Sequence, residues 1–189
     1  MSSKKVVIAI GGPAGSGKTT YAKAIAEKYG LRYFSAGSIF RIIARERGLS
    51  IEELSKMAEK DPTIDLMIDK RTLEEALKGN VVVEGHLVPW VVKDIADVKI
   101  YVKAPLHIRV KGIAEREKRP YKQVLRETVI REHSQRIRFL EFYGIDITDL
   151  SIYDLVIDTS QLGIEEVITI IEKFIELRLP ELRKRNINE

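Results

Sequence analysis

The chain of 189 residues has no cysteine, one tryptophan and six prolines. Without cysteine there are no disulfides and no thiolate metal sites, and the expected compartment is a reducing cytoplasm. No apolar run approaches the roughly 18 residues that a membrane-spanning helix needs. Met1-Ser2-Ser3-Lys4-Lys5 leads directly into an apolar segment, so no signal peptide and no membrane partner are expected. Internal repeats, low-complexity tracts and long linkers are also missing. The net charge is only +4, from 32 basic and 28 acidic residues. Its arginines gather between Arg109 and Arg138 without the interleaved aromatics of a single-strand nucleic-acid binder. Nucleic acid is therefore not an expected partner, and the tail Arg183-Lys184-Arg185-Asn186 reads as a solvated end. One α/β domain, acting as a monomer, suits this length.

Against these absences stands one complete motif. Gly12-Pro13-Ala14-Gly15-Ser16-Gly17-Lys18-Thr19 matches the phosphate-binding loop G-x-x-x-x-G-K-[ST]. Residues 6–10 before it are apolar and β-branched, as in a buried strand. Residues 20–29 after it form a helical pattern closed by Gly30. In that setting the backbone N–H groups curl inward around a phosphate, and the helix N-terminus adds partial positive charge. Lys18 reaches the β- and γ-phosphates, and the Thr19 hydroxyl is a ligand for Mg²⁺. The chain is expected to bind a nucleoside triphosphate with Mg²⁺. Gly12, Pro13, Ala14, Gly15, Ser16, Gly17, Lys18, Thr19 and Thr20 are the candidate triphosphate-binding residues, ATP-binding if the nucleotide is ATP, with Lys18 also catalytic.

Strand-like runs recur at 6–10, 31–34, 81–84, 98–102 and 155–157, separated by helical patterns. Their alternation predicts a five-stranded parallel sheet flanked by helices. Ser50 with Glu53 forms a capping box, Asp61-Pro62 ends that helix, and a second pattern runs from Thr63 to Lys78 before Gly79. The stripe Ile164, Val167, Ile168, Ile171, Phe174, Ile175 is core packing. Val81-Val82-Val83-Glu84-Gly85 places a carboxylate at the carboxyl end of a buried strand, where ligands sit in open α/β sheets. Mg²⁺ keeps most of its waters, so Glu84 can hold it through its water shell.

Several segments resemble the archaeal-type cytidylate kinases, nucleoside monophosphate (NMP) kinases of the P-loop superfamily. They are Ser35-Ala36-Gly37-Ser38-Ile39-Phe40-Arg41, Glu84-Gly85, Tyr143-Gly144-Ile145-Asp146-Ile147, Ser151-Ile152-Tyr153-Asp154 and Ile157-Asp158-Thr159. The resemblance implies the P-loop NMP-kinase fold, with a small helical NMP-binding insertion at about 37–79 and a short lid at about 112–122. The core is then 4–36, 80–110 and 150–178. The implied reaction transfers the γ-phosphoryl of ATP to CMP or dCMP. Ser35, Gly37, Arg41, Asp69, Arg71 and His86 become acceptor-binding candidates, Thr19 and Glu84 the metal candidates, and Arg109 and Arg116 further ATP ligands. Arg131 and Arg136 are the implied transfer-site arginines. Asp65 shares a helix face with Asp69 and is a second candidate for the cytosine amine.

Two positions depart from the family pattern: Ser38 stands where an acidic residue is usual, and His86 where arginine is usual. His86 has two readings, an acceptor-phosphate contact or a structural residue bonded to a backbone carbonyl near Trp90. Arg131 and Arg138, seven apart, share a helix face, whereas Arg136 lies about 140° from Arg131. His133 reads as a solvent residue, because an anionic acceptor needs no base. AMP, UMP and shikimate remain as rival acceptors. A nucleotide-switched RNA-associated factor is the rival from another class.

Overall fold

The computed structural model describes residues 5–183, so the basic tail from Lys184 onward lies outside the described residues. Five parallel strands build one sheet: β1 (Val7–Gly11), β2 (Arg32–Ser35), β3 (Val81–Glu84), β4 (Val98–Lys103) and β5 (Leu155–Asp158). Their order across the sheet is β2-β3-β1-β4-β5. Each strand lies within one residue of its expected position at either end. At β1 the shift has a local cause, since the Val6 N–H is taken by the Asn80 side chain.

β1 and β3 are buried on both faces, as parallel strands between helix layers must be, while β4 alternates buried residues with half-buried Lys99 and Tyr101. On one face Ile8, Ile10, Val82 and Ile100 pack against Ile25 of α1 (Lys18–Lys28) and Val167, Ile171 and Ile175 of α8 (Ile164–Arg178). On the other, Val7, Ala9, Val81 and Val83 meet Ala76 of α4 (Thr63–Leu77) and Val88 of α5 (Val88–Val91). The alternation Val81, Val82, Val83 between the two clusters is the period-two rule at work. Truncating any of the wholly buried isoleucines to alanine costs about 2–5 kcal/mol.

Between β2 and β3 the chain forms α2 (Ala36–Glu46), α3 (Ile51–Ala58) and α4, with a core of their own around Phe40, Leu54, Ile64 and Ile68. The capping box at the start of α3 is formed in both directions, Glu53 N–H to Ser50 Oγ at 3.1 Å and Ser50 N–H to Glu53 Oε2 at 2.7 Å. After β4, α6 (Leu106–Glu117) and α7 (Tyr121–Tyr143) make a helical hairpin. Lys118 turns the corner in the left-handed region at φ 52°, so the polar stretch around it is the tip of a hairpin. That hairpin buries Val110, Ile113, Ala114 and Val124 together with Ala14 of the phosphate loop. A four-residue α9 (Pro180–Arg183) closes the described chain. Among the described residues no helix is long and apolar enough to cross a membrane.

Candidate active site

All five strands point their carboxyl ends to one edge, and the phosphate loop rises from β1 there. The loop conformation depends on glycine. Gly12 has φ 143°, and a Cβ on it would lie 2.1 Å from the Val102 carbonyl oxygen. Gly17, at φ 90°, precedes the first turn of α1, where a Cβ would press on the Tyr21 ring at 2.6 Å. Without side chains at these points the loop can close tightly. Ser16 Oγ is buried there with no hydrogen-bond partner, a polar atom aimed at nothing the protein supplies.

Lys18 Nζ donates to the Pro13 carbonyl at 2.8 Å, bridging the loop it belongs to. Burial pulls its pKa down to about 8, with Arg131 pushing the same way and Glu84 opposing. Glu84 is only 3 % exposed. Its Oε1 accepts from Thr19 Oγ1 at 3.1 Å, Tyr33 OH at 3.1 Å and Ser35 Oγ at 2.5 Å. Ser35 also accepts from the Ser38 N–H at 3.2 Å and so caps α2. Arg41, one turn further on, reaches back to Ser38 Oγ at 2.9 Å and lies along Gly37. A hydrogen-bonded chain therefore runs from Glu84 through Ser35 and Ser38 to Arg41.

Arg131 approaches from α7. Its pKa is lowered by burial and next by Arg41, while Glu132 and Glu84 oppose, which places it among the charges of the loop. Its Nε is buried without a partner. A guanidinium with an unspent N–H beside a lysine and another arginine is a site for an anion. His86 lies on the same side. Its Nδ1 is 2.9 Å from Gln135 Oε1, and burial drives its pKa down to about 4, helped by Lys18, Arg131 and Arg109. The imidazole is thus neutral at pH 7. Its partner is a side chain of α7, not a backbone carbonyl.

Arg109 is brought to the loop as a brace. Its guanidinium donates to the Ala14 carbonyl at 2.7 Å and the Ala104 carbonyl at 2.9 Å, and it forms a two-pronged ion pair with Glu132. These bonds take four of its five N–H donors. Arg138, 1 % exposed, pairs with Asp65 at 2.9 Å and donates to the Ser55 carbonyl at 3.2 Å, tying α7 to α3 and α4. Beside it Tyr143 OH donates to Asp69 Oδ2 at 2.5 Å, and burial raises the Asp69 pKa to about 6.

Arg136 is exposed on α7, and with His133 it lines a cavity of about 570 Å³ together with Pro13, His86, Arg109 and Glu132. Three candidates stand apart. Arg71 is exposed, and two residues past Asp69 it projects from a different side of α4. Arg116 is exposed at the end of α6, paired with Glu117 at 3.0 Å. Thr20 is exposed on the first turn of α1. Sequence reasoning missed Tyr33, Glu132 and Gln135. Gln135 alone had a signal, because it lies four residues from Arg131 and three from Arg138, on their shared face.

A sequence profile described as the "Cytidylate kinase-like family" matches residues 7–161. The chain belongs to this family. It is 61% identical over 176 residues to the cytidylate kinase of Staphylothermus marinus, covering 93% of this chain and 99% of that one. To the cytidylate kinase of Desulfurococcus amylolyticus it is 54% identical over 177 residues, covering 93% and 96%. Among solved structures, shikimate kinase from Bacteroides thetaiotaomicron shares the fold at TM-score 0.60 and 15% identity, over 92% of this chain and 99% of that one. At that identity the likeness is one of architecture. The cytidylate kinase-like family and the strand order agree on a P-loop kinase fold.

Proposed function

We propose that the protein is a cytidylate kinase, which transfers the γ-phosphoryl of ATP to CMP, or dCMP, giving CDP and ADP. One observation carries the reading. In a chain 61% identical to a cytidylate kinase, a phosphate loop, a buried carboxylate and the unspent guanidinium of Arg131 meet at one edge of the sheet. Phosphoryl transfer asks little covalent work of a protein. It needs two anions aligned, their repulsion neutralised and water kept out.

In this reading Gly12 to Thr20 bind ATP, and Lys18 leaves the Pro13 carbonyl to meet the transferring group. Arg131 stabilises charge on that group, and Arg41 holds the acceptor phosphate with Ser35, Gly37 and His86 around it. Asp69 reads the cytosine amine. The hydroxyl of Thr19 and the carboxylate of Glu84 fit a hard cation: a hydroxyl that donates to a carboxylate turns its lone pairs outward. They would hold Mg²⁺, which when bound neutralises phosphate charge. The helices of 36–77 act as the NMP-binding insertion. The α6–α7 hairpin tip, with Arg116 and Arg119, acts as the lid. The enzyme works as a cytoplasmic monomer on nucleotides, not nucleic acid.

The test is direct product analysis. Incubation with ATP, Mg²⁺ and CMP should convert CMP to CDP with matching ADP on an anion-exchange column. ADP formed at the same rate without CMP would mean hydrolysis and would contradict the proposal.

A further inference from the structure

Tyr33 belongs to none of the groups expected to touch nucleotide, yet its hydroxyl ends on Glu84. Tyr33 and Ser35 lie on one face of β2, and Ser35 stands directly opposite Glu84 in the register of β2 on β3. Two residues upstream, only a side chain as long as tyrosine bridges the remaining distance along the strand. Its ring packs against the main core, and Lys23 Nζ sits 5.6 Å from the ring centroid. The phenol is therefore anchored at both ends.

All three hydroxyl donors converge on Oε1 of Glu84, and none of them reaches Oε2. The three are not equivalent. Thr19 belongs to the phosphate loop, and Ser35 also caps the helix that carries Arg41. Tyr33 spends its hydroxyl inside this cluster, donating to Glu84 beside the Ser35 and Thr19 hydroxyls, and carries neither the phosphate loop nor a helix cap. We propose that Tyr33 is a positioning residue for the metal site: it pins one oxygen of Glu84 so that the carboxylate keeps a single orientation and its other oxygen stays available to the hydrated cation. Groups that orient a metal-site carboxylate commonly change metal affinity by about 10-fold or more when removed.

The inference rests on the kinase reading, specifically on Mg²⁺ at Thr19 and Glu84. The experiment uses Tyr33→Phe, which keeps the ring and its packing and removes only the donor. Two quantities are measured: the free Mg²⁺ giving half-maximal rate at saturating ATP and CMP, and the rise in Tm when Mg²⁺ is added to enzyme already holding a non-hydrolysable ATP analogue. Tyr33→Phe should raise half-saturating Mg²⁺ about tenfold, shrink the Mg²⁺-dependent rise in Tm, and leave KM for CMP unchanged. Ser35→Ala should move both Mg²⁺ dependence and KM for CMP, because it also uncaps α2. Superimposable Mg²⁺ curves and equal Tm increments for wild type and Tyr33→Phe would overturn the inference. Glu84→Gln separates the two failures. If it too leaves Mg²⁺ dependence unchanged, the metal reading itself fails; if it alone shifts it, only the role of Tyr33 falls.

Discussion

Arg109 and Glu132 clasp each other through both carboxylate oxygens directly behind the phosphate loop, and the same guanidinium holds the Ala14 carbonyl. Glu132 is the chain neighbour of Arg131. The pair therefore locks α7, which carries Arg131, to the phosphate loop. Arg109 is 7 % exposed, so removing Glu132 leaves a buried, unbalanced cation. Glu132→Gln should lower stability by about 3 kcal/mol, as breaking one side of a buried pair does. Replacing both, as Arg109→Met with Glu132→Leu, should recover much of that loss. Urea unfolding of wild type and the two variants checks this.

Lys18 predicts a proton linked to ATP. Its pKa near 8 in the nucleotide-free enzyme reflects burial, and a polyphosphate beside it restores the charged form. ATP binding should therefore take up a proton at pH 8.5 and weaken as pH rises through about 8. Calorimetry in two buffers of different ionisation enthalpy measures the uptake, which Lys18→Met should abolish. That variant should stay folded and lose on the order of 10²-fold or more in kcat.

Two groups shape acid stability in opposite directions. His86 titrates near 4 when folded, against about 6.5 unfolded. Between those values the unfolded chain binds the extra proton, so this contribution is complete above about 6.5 and is lost as pH falls toward 4. Asp69 titrates near 6, against about 3.9 unfolded. There the folded form holds the proton, so its contribution is complete below about 3.9 and is lost as pH rises through 6. Melting curves from pH 4 to 7 should show His86→Gln less acid-sensitive than wild type, and Asp69→Asn more acid-sensitive than wild type.

The architecture was legible because its signals are local. Glycine after a periodic run marked the ends of α1 and α4, and Ser50 with Glu53 marked the start of α3. The phosphate loop and Glu84 were legible for the same reason, each being fixed by a strand and the residues next to it. What sequence hid lies in pairs joined only by folding: His86 with Gln135, Arg109 with Glu132, Asp65 with Arg138, Asp69 with Tyr143. Arg131 and Arg138 show why. Their seven-residue spacing does put them on one face of α7, but two turns separate them by about 10 Å. One meets the charges of the phosphate loop, and the other is sealed against Asp65.

Acceptor choice tests the central claim most directly. With ATP and Mg²⁺ held saturating, kcat/KM is measured for CMP, dCMP, UMP, AMP and shikimate by coupled detection of ADP. A pocket that pairs with a cytosine edge leaves polar groups unmatched when a purine enters, so AMP should be at least roughly tenfold worse than CMP, with shikimate inert. AMP turned over as well as CMP, or shikimate preferred to either, would contradict the account.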